Sequence, residues 1–218
     1  MRRSVMACVV LLNVLLAGAA AGEWEFVGAV DNFFPSDDLW DGYALGGELR
    51  AVYWTDARWG IALAAGYTKW DVDDNTTALS DIVTTELSGD ISYIPVGASL
   101  LARLGTENAS RLTFLLEAGV RYMFCDSNAD ITRTTIRELD PPLVENEQLD
   151  CDDGIVARLA GGVEWALSDS YRPARLFVTG GYQFDLDQGE ATENIWGTSA
   201  DLELNAFFVE IGLAIPIE

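Results

Sequence analysis

Seven charged residues stand at even spacings in otherwise apolar surroundings: Glu48 and Arg50, Glu117 and Arg121, Arg158 and Glu164, and a lone Glu210. Successive side chains of a β-strand point to opposite faces, so residues two, four or six apart share one face. Each pair would then put a carboxylate and a guanidinium on the same face. Paired carboxylates can serve as general acid and base. Carboxylate–guanidinium pairs instead form charge-assisted hydrogen bonds that hold a structure shut. The second reading is favoured because charges enclosed by a small closed sheet already need such partners; the chain also has no histidine. Serine and cysteine hydrolysis commonly need an imidazole base, and zinc sites usually need histidine unless they are cysteine-rich. The motifs GxxxxGK[ST], GxSxG and CxxC are also missing. No catalytic residue, cofactor or metal is therefore expected, and the chain is not expected to be an enzyme.

Two cysteines lie beyond the N-terminal segment, Cys125 and Cys151. In an oxidising compartment an isolated pair reads as a disulfide rather than a metal site, with two free thiols as the alternative. The bridge would close a loop of about 27 residues. Acidic residues cluster at Asp37-Asp38, Asp71/Asp73/Asp74, Asp150/Asp152/Asp153 and Asp185/Asp187. Such oxygen-rich groups can hold Ca²⁺ or Mg²⁺, but none has a complete calcium-loop spacing, and solvated acidic loops are the expected reading.

The compartment follows from the first residues. Arg2-Arg3, an apolar run over Val5–Ala17 and the small residues Ala19-Ala20-Ala21 have the layout of a cleaved secretory signal, too short to span a membrane. Residues 1–21 are read as the signal peptide and 22–218 as one β-barrel domain. Cleavage removes two arginines and no acid from 13 basic and 35 acidic residues. The remainder carries 11 basic against 35 acidic residues, a formal charge of −24. That charge excludes a nucleic-acid partner by repulsion from phosphate. Disorder is excluded too, because half the residues are hydrophobic and 11% aromatic.

Period-two alternation predicts eight strands, at 23–34, 43–55, 58–71, 86–104, 110–125, 153–167, 174–186 and 200–217. Most exceed the length usual in soluble sheets and suit tilted strands crossing a bilayer. Every second connection is short (56–57, 105–109, 168–173), whereas the others are long and acidic (35–42, 72–85, 126–152, 187–199). That asymmetry is the mark of outer-membrane barrels, with the long loops outside. The predicted fold is all-β: a closed antiparallel up-and-down transmembrane β-barrel of about eight strands.

Parity then turns Leu45, Leu49, Ala51 and Tyr53 outward and Glu48 and Arg50 inward. Phe207, Val209, Ile211, Leu213 and Ile215 face out, leaving Glu210 inside. Glu117, Arg121, Arg158 and Glu164 also point in. Unpaired charges at that depth are costly, so the seven are expected to form one interior network. An eight-strand barrel is just wide enough for side chains to fill it, so a plugged core is expected, with a proton or small-ion path as the functional alternative. Trp24, Trp40, Trp54, Trp59, Trp70, Trp165 and Trp196 fall near strand ends, where interfacial girdles belong. In the third long loop, Asp130 to Glu138 alternates weakly and Pro141-Pro142 suggests a bend, so the hairpin is expected to continue above the rim.

The run Ile94-Pro95-Val96-Gly97-Ala98-Ser99-Leu100-Leu101-Ala102-Arg103-Leu104, followed by Arg111 to Phe124 with Gly119 and Tyr122, resembles the central strand pair of the small outer-membrane β-barrel superfamily. That superfamily contains the OmpA transmembrane domain and the OmpX and OmpW relatives. Gly161-Gly162-Val163-Glu164-Trp165-Ala166-Leu167-Ser168-Asp169 similarly resembles the family's next strand and turn. The usual Pro-Tyr opening is replaced by Leu112-Thr113-Phe114. The resemblance implies an eight-strand barrel inserted in outer-membrane lipid by the barrel assembly machinery. A monomer is expected, since closure removes the edges through which sheets associate. Expected roles are a structural or surface-interaction barrel, a narrow channel for small or apolar solutes as in the OmpW-like branch, or a soluble lipocalin-like periplasmic carrier.

Overall fold

The computed structural model describes residues 22–36, 43–77, 83–105, 111–137, 140–148, 150–169, 172–187, 189–192, 199–202 and 204–217. The signal segment, Trp40, Trp196 and Asp37-Asp38 lie outside them. Eight strands form the barrel: β1 (Glu23–Pro35), β2 (Ala44–Trp54), β3 (Trp59–Thr77), β4 (Val83–Leu104), β5 (Leu112–Ser127), β9 (Gly154–Ala166), β10 (Arg175–Asp187) and β13 (Ala206–Ile217). Five shorter strands lie in the long loops: β6 (Asp130–Arg137), β7 (Asp140–Gln148), β8 (Asp150–Cys151), β11 (Gly189–Thr192) and β12 (Ser199–Leu202). There is no helix among the described residues.

Each barrel strand pairs antiparallel with its neighbours in sequence, and β1 pairs with β13 from Trp24↔Ile217 to Pro35↔Ala206. That ladder closes the ring. Alternation of side-chain character becomes alternation of environment: along β13, buried and exposed residues alternate strictly from Ala206 to Ile215. Outward residues are large and apolar, among them Leu49, Phe114, Trp165, Phe207 and Ile211. A tight ring also needs close strand contact. A Cβ at Gly97 or Gly162 would stand 2.0 Å from the carbonyl oxygen of Val120 or Val178, so only glycine fits there.

The predicted strands are present, with two corrections. The last predicted strand is split: Ser199–Leu202 pairs with β11 instead, and the barrel strand begins at Ala206. Pro141 and Pro142, where a bend was expected, lie within β7 at a register shift of its ladder to β6, between the pairs Arg137↔Asp140 and Thr135↔Leu143. Proline is tolerated at such a strand margin, where its missing N–H need not serve a ladder. The β6–β7 hairpin also does not prolong the β5–β9 pair. It joins Val83–Ser88 of β4, in the part of the β3–β4 ladder that continues beyond the end of the β2–β3 ladder. β4 changes partner between Ser88, paired with β6, and Ile91, paired with β5. Gly89 lies at that switch with φ +136°, a conformation other residues rarely adopt.

The short-turn end is tied locally. In the β2–β3 turn, Asp56 Oδ1 accepts backbone N–H bonds from Arg58 and Trp59, both 2.7 Å. These bonds, the Arg58 one foremost, hold its carboxyl below the usual aspartate range. Arg111 meets Asp169 with two hydrogen bonds of 2.9 and 2.5 Å, joining two neighbouring turns. At the opposite end, Cys125 and Cys151 form a disulfide. It links β5 to β8, and β8 pairs with β11. Replacing both cysteines by serine is expected to lower stability by about 3 kcal/mol through the freed loop. Urea unfolding in detergent micelles, followed by tryptophan fluorescence, checks this.

Candidate functional site

The barrel interior is built in alternating layers. At mid-height Arg50, Arg121 and Arg158 meet Asp31, Glu48, Glu117 and Glu210, each 4% exposed or less. Arg50 Nε donates to Glu48 Oε1 and its Nη2 to Glu210 Oε2, while Nη1 reaches Glu117 Oε2 at 3.1 Å. Arg121 Nε donates to Glu48 Oε2 at 2.9 Å, and its Nη2 bridges Glu48 and Glu117 at 3.1 Å each. Ser99 completes this corner: its hydroxyl accepts from Arg121 Nη1 at 2.8 Å and donates to Glu117 Oε1 at 2.7 Å. Arg158 Nη2 serves both Asp31 Oδ1, at 3.0 Å, and Glu210 Oε2. The Arg158 guanidinium lies over the Phe208 ring, 3.8 Å from its centroid.

A second ionic layer lies nearer the short-turn end. Arg103 Nε donates to Glu164 Oε2 at 2.6 Å, and its Nη2 to Glu25 Oε2 at 2.9 Å. Trp54 Nε1 donates to the same Glu25 oxygen at 2.8 Å, and Arg103 stacks 3.6 Å from the Trp54 ring centroid. Arg175 Nη1 stands 3.9 Å from Glu164 Oε2. Between the ionic layers pack Val27, Val52, Ala62, Leu101, Leu115, Phe177 and Ala214. Above the upper one, Phe33, Trp70, Tyr93, Met123, Val156, Leu204 and Phe208 fill the long-loop end.

All seven charged residues singled out in the sequence are buried in the barrel, six in the mid-height network and Glu164 in the lower layer. Sequence reasoning missed Glu25, Asp31 and Arg103. Glu25 and Asp31 share the inward parity of Val27 and Phe33, so the signal was present once β1 was oriented by its outward Phe26 and Val30. Arg103 sits at the end of a long strand, where a charge reads equally well as the start of a turn.

The tryptophans divide. Trp59 and Trp165 are exposed on the outer wall near strand ends, as expected of a girdle. Trp54 and Trp70 are not girdle residues: both point inward and are almost wholly buried. Tyr53 faces the outer wall yet is buried, because Trp24 packs on it with ring centroids 5.1 Å apart. Two of the acids considered as cation ligands hold the rim instead. Asp153 accepts from Tyr122 Oη at 2.8 Å and from the Cys125 backbone N–H at 2.9 Å. Asp185 accepts from the Leu204 N–H at 3.0 Å, fixing the segment that plugs the barrel.

This architecture is shared with solved structures of bacterial outer-membrane proteins. The outer membrane protein OprG from Pseudomonas aeruginosa superposes with a TM-score of 0.64 over 91% of this chain and 97% of its own, at 15% identity. A major outer membrane protein from Thermus thermophilus reaches 0.50 over 90% and 100%, at 13% identity. The outer membrane protein AlkL, solved in DMPC lipid bilayers, reaches 0.50 over 90% of each chain, at 12% identity. The fold is that of the small eight-strand outer-membrane β-barrels. No protein-family model matches the sequence, and neither does any curated protein.

Removing one buried guanidinium leaves its carboxylates with one counter-charge fewer. Arg121→Ala leaves Glu48 and Glu117 short of a partner and is expected to cost about 3–5 kcal/mol. Arg111→Ala, at the exposed turn, should leave stability nearly unchanged. Urea midpoints of the refolded proteins distinguish the two.

Proposed function

We propose that this chain is an exported, non-enzymatic integral outer-membrane barrel with a structural or surface-interaction role, its interior closed by salt bridges. The observation that carries the reading is an inversion of the usual soluble pattern. Large apolar side chains cover the outer wall, while the interior holds two ionic layers. A wall of this kind is stable against hydrocarbon and not against water. Aromatic clusters at the long-loop end, Tyr122 with Phe124 and Tyr182 with Phe184 and Phe207, fit a lipid–water interface. In this reading residues 1–21 are the cleaved signal, outer-membrane lipid covers the belt, the assembly machinery inserts the chain as a monomer, and the long loops face outward.

A filled interior supports a surface role over a channel. Arg103 with Glu25 and Glu164 crosses the lower bore, and Leu204, Trp70 and Tyr93 occupy the upper end. Native protein is expected in the outer-membrane fraction, lacking residues 1–21 by mass, and its folded form should migrate faster on gels until boiled. Recovery in the soluble fraction without detergent would overturn the membrane reading. Refolded protein in a planar bilayer is expected to give no stepwise current; robust steps would favour the narrow-channel alternative.

A further inference from the structure

The two ionic layers differ in their charge balance. The lower one sets Arg103 and Arg175 against Glu25 and Glu164, two of each sign. The mid-height layer sets three guanidiniums against four carboxylates, all at least nine-tenths buried. One negative charge is therefore in surplus where solvent cannot screen it.

The surplus can be located. Asp31 and Glu210 are directly opposite in the β1–β13 ladder, both on the inward face. Like charges in that position repel. Both carboxyls nevertheless lean on the same nitrogen, Arg158 Nη2, which donates to Asp31 Oδ1 at 3.0 Å and to Glu210 Oε2. Glu210 Oε2 takes the donors of Arg50 and Arg158, whereas Glu210 Oε1 is buried with no hydrogen-bond partner. Thr179, opposite Glu210 on the β10 side, also has a buried hydroxyl without a partner. The other charged groups around Glu210 are Glu48 and Arg50 from β2, Glu117 and Arg121 from β5, and Arg158 from β9. β10 contributes only the uncharged Thr179 and Gln183.

We propose that Asp31 and Glu210 are a proton-binding site, holding one proton between them with Glu210 Oε1–H donating to the Asp31 carboxylate. Two carboxyls at such close range favour sharing a proton over double ionisation. The shared proton gives the stranded oxygen a partner and turns a repulsive cross-strand pair into a hydrogen-bonded one. It also leaves three negative charges for three guanidiniums. This concerns the folded barrel itself and stands whether or not the chain resides in an outer membrane.

Infrared spectroscopy of the folded, micelle-bound protein at neutral pH tests it. The wild type is expected to show the carbonyl stretch of a protonated carboxylic acid, shifted in D₂O. Glu210→Gln and Asp31→Asn each leave three carboxylates for three guanidiniums, so the band should vanish in both. It should persist in Glu23→Gln, which changes only an acid on the rim. Because Glu210→Gln keeps an N–H donor toward Asp31, its urea midpoint should match the wild type, while Glu48→Gln should fall below it. Absence of the acid band from the folded wild type, as a bound monovalent cation would produce, overturns the proposal. So does a band unchanged in both Glu210→Gln and Asp31→Asn, each read on the folded fraction.

Discussion

The β1–β13 ladder is the constraint on which the rest of the molecule depends. Until residues 24–35 pair with 206–217, the sheet has two open edges and no defined inside. Once they pair, every strand's parity is fixed, because a slip of one residue would exchange its two faces. Asp31 and Glu210 could not meet, and Arg50 could not reach Glu117 from a strand 67 positions away, without that closure. The register of a single strand pair thus decides which side of the wall carries charge.

Inside the ring, the layers divide the work of filling the barrel. Arginine is the side chain suited to a narrow bore, since its planar fork satisfies two or three carboxylates while its stem packs against apolar neighbours. Arg121 does this with Glu48 and Glu117, and Arg103 with Glu25 and Glu164. The apolar layers between them keep water from the ion pairs, which raises the cost of leaving any charge unmatched. Ser99 and the backbone at glycines such as Gly97 make room for guanidiniums that a uniformly large-residue interior would exclude.

Much of this was legible in the sequence, for a physical reason. Alternation with period two is a direct record of which side of a sheet each residue faces, so the pattern alone puts Glu48, Glu117, Arg121 and Glu210 in the interior. Residues at strand ends were less legible. Trp54 and Trp70 are near ends and aromatic, which suits a girdle, but their parity matches that of Arg50 and Thr68 and places them inside. The loop strands were the least legible. β6 pairs with a distant part of β4 and β8 with β11, so their partners were set by tertiary proximity rather than local pattern.

The disulfide has a mechanical consequence. Cys151 belongs to β8, whose ladder to β11 continues to β12, two residues before the plugging Leu204. Cys125 belongs to β5, a strand of the wall. Tension applied to the third long loop is therefore delivered through a covalent bond to the wall instead of through a few backbone hydrogen bonds to the plug. The bond therefore fixes the base of the third long loop, and with it the β8–β11–β12 ladder, to the wall. The rim acts as a strain-relief collar.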